Sequence, residues 1–145
     1  MSGTPDKTLG PRGAFRLEAF IIGLGLLALI LIFQPLSLTL FAIGSGLVVL
    51  AGLVNNLLPL ARPGTKVKSI VTVALVVAMI FCIVLLVSIA AAHLYGVFFL
   101  KPPDPATTAG KVQLATPIFY MQPLVWGLGV AAVCFAAAIT LLQRK

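Results

Sequence analysis

Acidic side chains are almost missing from this chain. Asp6, Glu18 and Asp104 are the only three among 145 residues, and His93 is the single histidine. Paired carboxylates for acid–base work, a metal-spaced His/Cys/Asp/Glu cluster and a Ser, His and Asp set all need titratable groups that lie closer together. The chain is therefore expected not to be an enzyme. Cysteine is equally scarce, with Cys82 and Cys134 alone, which excludes a disulfide scaffold. Both fall in apolar runs, where a thiol packs as a small hydrophobe.

Charge of either sign is low at 9%, whereas hydrophobic residues make up 61% of the chain. Soluble domains hold roughly 45–50% apolar residues. A soluble globular domain is thereby excluded, as is a disordered chain, and the 13 glycines follow no collagen period. An all-α integral membrane protein remains.

About 30 Å of hydrocarbon requires about 20 helical residues. Four stretches qualify: residues 17–33, 36–58, 70–97 and 122–142, forming one membrane domain over 1–145. Gln34-Pro35 breaks the first two into a hairpin, and Pro123 stands near the first turn of the last, where a missing backbone donor costs little. The expected architecture is a four-transmembrane-helix bundle.

Lys and Arg set its orientation. Lys7, Arg12, Arg16, Arg62, Lys66, Lys68, Arg144 and Lys145 flank one side of the spans, and only Lys101 and Lys111 fall on the other. Positive residues in short loops stay cytoplasmic, so both termini are expected inside. Tyr95, Tyr120 and Trp126 then collect near the outer interface, which amphipathic rings favour. The net charge of +7 is accounted for by these flanks, which also attract anionic lipid, and no nucleic-acid partner is expected. A plasma or energy-transducing inner membrane fits this pattern.

Several motifs have a plainer reading than the chemistry they suggest. Gly23-Leu24-Gly25-Leu26-Leu27-Ala28 and Gly127-Leu128-Gly129-Val130-Ala131-Ala132 both fit a dinucleotide-binding pattern, but each lies within an apolar span instead of between a strand and a helix. They are expected, with pairs such as Ala42 and Gly46, to mark close helix packing. Glu18 sits in the first turn of the first span, too shallow for a coupling-ion site; Arg16, Arg62 and Lys66 are its expected neighbours. Asn55 and Asn56, before Pro59, are expected to cap the second span. Ser45, Ser88 and Thr140 should bond back to their own helices.

His93 offers the one ring nitrogen that could ligate a haem or chlorophyll-type pigment. One ligand does not make a cofactor site, and no cofactor is expected. The segment that the membrane reading leaves unexplained is the outer loop, residues 101–123. It holds five of the ten prolines, and Pro102-Pro103-Asp104-Pro105 should be extended. Val112, Leu114, Phe119 and Tyr120 are side chains that a solvated loop would not expose; with Trp126 just beyond the loop, they are expected to contact a partner or the membrane surface.

These readings point to a non-catalytic accessory or assembly subunit of a larger respiratory, photosynthetic or translocating membrane complex. Its partners would be membrane lipids and other integral membrane subunits. The alternative is a small transporter or channel made by self-association, against which stands the lack of polar groups at mid-span.

Overall fold

The computed structural model describes residues 6–144. All regular structure among them is helical: α1 Pro11–Phe33, α2 Leu38–Asn55, α3 Val67–Phe99, the short α4 Thr108–Ala115 and α5 Pro123–Arg144. Single 3₁₀ turns form at Leu58–Leu60 and Phe119–Met121. α1, α2, α3 and α5 are each long and apolar enough to cross a membrane. Of the basic flanks counted above, Lys145 lies outside the described residues.

Helix α1 begins at Pro11 and not at Leu17. Proline suits a first helical position because its missing N–H would find no partner there anyway, and the Ala14 amide closes the first turn on the Gly10 carbonyl at 3.0 Å. An apolarity criterion starts the helix too late, since its first turns carry Arg12 and Arg16. In α3, 33 residues give a rod about 50 Å long, longer than the roughly 30 Å of hydrocarbon in a bilayer.

Two compact units emerge from the contacts, one running up to Val77 and taking in the chain from Ile139 onward, the other Ala78–Ala138. In the first, α1 and α2 form a tightly joined hairpin. Gln34 builds its turn: its Oε1 accepts from the Leu36 and Ser37 amides at 2.7 and 3.0 Å, while its Nε2 donates to the Ser37 carbonyl at 2.7 Å. One side chain thus satisfies three backbone groups that a tight turn between apolar helices would otherwise leave bare.

The helices then meet at Gly44. A Cβ added there would stand 2.8 Å from the Leu31 Cβ and 2.9 Å from the Leu31 carbonyl carbon, so backbone approaches backbone as only glycine permits. On α1 the buried residues are Ala14, Ile21 and Ala28, seven apart and therefore on one stripe. The glycines singled out by motif behave differently. Gly23, Gly25, Gly46, Gly127 and Gly129 have nothing within 4 Å of an added Cβ, so the close approach lies at a glycine outside those motifs.

The loop after α2 closes the unit. Asn56 Nδ2 donates to the Gly52 and Leu53 carbonyls at 3.2 and 3.1 Å, capping the helix as its position suggests. Pro63-Gly64 makes a turn in which Gly64 takes a φ of 87°, a value that other residues rarely adopt. This turn pairs with the N-terminal segment: Leu9 N–H to Thr65 O and Gly64 N–H to Leu9 O, both 2.8 Å, and Val67 N–H to Lys7 O at 2.9 Å. Asp6 and Lys66 add an exposed ion pair at 2.8 Å. The N-terminal segment and the α2–α3 loop consequently share one side of the hairpin.

Candidate functional site

Chemistry-bearing side chains gather in the second unit, where the end of α3, α4, the Phe119–Met121 turn and the start of α5 come together. Their connecting loop is folded. Residues 101–104 run without regular structure, as the prolines require, and then the chain turns. Asp104 organises that turn: Oδ1 accepts from the Ala106 amide at 2.9 Å, and its carbonyl accepts from the Thr107 hydroxyl at 3.0 Å. Thr107 caps α4, its Oγ1 accepting the Gly110 amide at 3.0 Å. Gly110 is buried with its α-carbon hard against the Asp104 carbonyl, leaving no room for a Cβ.

Beyond α4 the wiring continues. The Thr116 hydroxyl donates to Val112 O at 2.8 Å, and Gln122 Nε2 reaches back to Pro117 O at 3.1 Å. Trp126, on the first turn of α5, donates its indole N–H to Tyr120 O at 2.8 Å and so ties the 3₁₀ turn to the helix. These bonds hold a loop of mostly exposed residues in a defined shape.

Two concavities result. The larger, about 820 Å³, is lined on the α3 side by Ala92, His93, Gly96, Val97 and Lys101 and on the loop side by Gln113, Pro117, Ile118, Phe119 and Gln122. The His93 and Phe119 rings lie 4.8 Å apart, tilted by 45°. No carboxylate lines this cavity. The second is an apolar groove of about 530 Å³ between Leu86 of α3 and the Val125, Trp126, Gly129 and Val133 face of α5, with Tyr120 at its rim.

The residues expected at a partner surface divide between these features. Val112, Leu114, Tyr120 and Trp126 point outward, at 64, 57, 50 and 68% exposure. Phe119 turns inward onto His93. His93 itself is half-buried, with a ring neighbour and no second candidate ligand beside it; among the described residues no group of three His, Cys, Asp or Glu is placed to hold a metal. The cavity residues Lys101, Gln113 and Gln122 carry no sequence motif, and only the fold of the loop brings them to His93.

In the first unit, Glu18 shares a cleft of about 460 Å³ with Pro59 and Arg62 but forms no ion pair among the described residues, while Lys66 is engaged by Asp6. Hydrogen bonding by Lys66, and then its charge, hold the Asp6 carboxyl below its ordinary 3.8, and the same bond raises Lys66 above 10.5. Ser45 and Ser88 bond to the Phe41 and Val84 carbonyls of their own helices at 2.9 and 2.7 Å, as short hydroxyls in apolar helices do. No protein-family model, curated protein or solved structure matches this chain.

Proposed function

We propose that this protein is a non-catalytic accessory or assembly subunit of a larger membrane complex, of respiratory, photosynthetic or translocating type. In this reading its four long helices cross the membrane with both termini on the cytoplasmic side. Orientation is supported by the basic flanks and by the hydrogen bonds joining residues 7–9 to 64–67, which keep the two inner basic segments together.

The observation that carries the partner role is the folded outer segment. Disordered loops expose apolar residues in transit; this one fixes Val112, Leu114 and Tyr120 outward through the Thr107 cap, the seat of Gly110 and the bond between Trp126 and Tyr120. Ordering a surface in advance lowers the cost of binding, and exposed apolar side chains held in place are how a docking surface is recognised. The adjoining groove along α5, with Gly129 open, would accept a neighbouring helix.

The test is a native gel with mass spectrometry on tagged protein extracted in mild detergent from its own membrane. Migration within a larger assembly, lost in Leu114→Gln or Trp126→Ala while the protein stays folded, is the expected result. Migration as a lone monomer contradicts the reading. Migration as a small homo-oligomer also contradicts it, and directs attention to flux measurements in liposomes.

A further inference from the structure

We infer that the cavity between the end of α3 and the outer loop is a binding site for one anionic phospholipid, with the phosphate held by Lys101, His93 and Gln113. The inference rests on the reading that the long helices span a membrane. It is independent of the partner role.

The charge in the cavity has one sign. Lys101 is the one lysine or arginine lining it among the described residues, no carboxylate lines it, and no acidic residue of the described chain pairs with Lys101. Asp104, three residues on, is engaged with the Ala106 amide in the turn. The other polar groups are uncommitted: no hydrogen bond engages the His93 ring or the Gln113 amide, and Gln122 uses only its Nε2. The Lys101 ammonium, the His93 ring and the Gln113 amide can each offer a donor to a phosphate oxygen, and no carboxylate lines the cavity to compete for them. Phosphate oxygens, which are acceptors only, suit these donors, and an anionic lipid brings them without the ammonium that a zwitterionic headgroup would set beside the Lys101 charge.

Depth and shape select an amphiphile over a free anion. Lys101 lies just past the last residue of α3, and His93 is less than two turns inside that end. With α3 about 50 Å long against about 30 Å of hydrocarbon, this stretch falls at headgroup level. Ala92 beside His93, and Gly96 and Val97 between His93 and Lys101, make the α3 wall apolar around the polar groups. A volume of about 820 Å³ holds a glycerophosphate headgroup and the first part of its acyl chains.

Native mass spectrometry of the purified full chain in neutral detergent tests this, with phosphatidylglycerol, phosphatidylcholine or inorganic phosphate added. Wild type should retain one phosphatidylglycerol at energies that strip phosphatidylcholine. Lys101→Gln should lose on the order of tenfold in occupancy, the scale of one charge-assisted hydrogen bond. Lys111→Gln, on the same loop outside the cavity, should lose none. Equal retention of both lipids, or equal losses in the two lysine variants, overturns the site. Binding of inorganic phosphate that Lys101→Gln abolishes, with no lipid preference, overturns the lipid and leaves the phosphate. Vesicle flotation separates the failures: a chain that does not float with liposomes refutes membrane spanning, whereas one that floats without lipid preference refutes only the site.

Discussion

The α1–α2 hairpin and the outer loop use hydrogen bonds and glycine for opposite ends. In the hairpin, Gln34 satisfies three backbone groups of the turn and Gly44 brings the helices into backbone contact, so both devices serve the joining of α1 to α2. In the outer loop, Thr107, Asp104 and Trp126 hold a frame, yet side chains set on that frame make no hydrogen bond: Lys101 and Gln113 line a cavity with His93 of α3, and Val112 and Leu114 are exposed.

The contrast breaks most sharply at Gly44. Gly44→Val should destabilise the hairpin by about 2–3 kcal/mol, since the neighbouring atoms are backbone and cannot move aside. Gly46→Val, where nothing lies within 4 Å, should change little. Thermal unfolding in detergent reads both, and equal losses would show that the close approach is not at Gly44.

Next in size is Gly110→Ala. It should cost about 2 kcal/mol, but locally, because the added methyl displaces the Asp104 carbonyl and unseats the Thr107 cap. Amide exchange should rise across residues 104–116 with the hairpin unchanged; a global rise would mean that the two regions are not separable. Smaller again is Trp126→Phe, which keeps the ring and removes the donor to Tyr120. An exposed bond of this kind is worth about 0.5 kcal/mol. Faster exchange confined to the 119–122 turn is expected, and unaltered exchange would assign the indole N–H no part in fixing the loop.

The smallest effect belongs to the N-terminal clip. Because Asp6 titrates below 3.8 when paired, its contribution is present above that value and fades as pH falls through the lowered one. Lys66 is raised above 10.5, so its contribution is present below that value and is lost only as pH rises past the raised one. Amide protection at Leu9 and Val67 should therefore be flat through neutral pH and weaken at either extreme. Protection that changes near pH 6–7 would mean a group other than this pair controls the clip.

Much of the fold was legible because a membrane span is a statement about composition and length. The four long helices follow from apolar runs; polar turns carry two of them outward, to Pro11 and Val67, while the second is shorter than its apolar run, Leu38–Asn55 within the expected 36–58. The glycine patterns misdirected attention. Gly-Leu-Gly draws the eye, yet contact depends on which side of a helix faces its neighbour, and that selected Gly44. Likewise the outward set Val112, Leu114, Tyr120 and Trp126 could be read from apolarity, but Phe119 could not be told from them. Its place against His93 follows from the Pro117 break and the 3₁₀ turn. The cavity was illegible for the same reason, since Lys101, Gln113 and Gln122 meet only through the folded loop.

Site-directed photocrosslinking in the native membrane tests the central claim most directly. A photoreactive residue at Leu114, compared with one at the exposed Val49 of the hairpin, should capture a discrete protein partner at the loop position, and Gly110→Ala should abolish the product. Crosslinks from Leu114 to lipid alone, or the same protein products from both positions, would contradict a docking surface built on the outer loop.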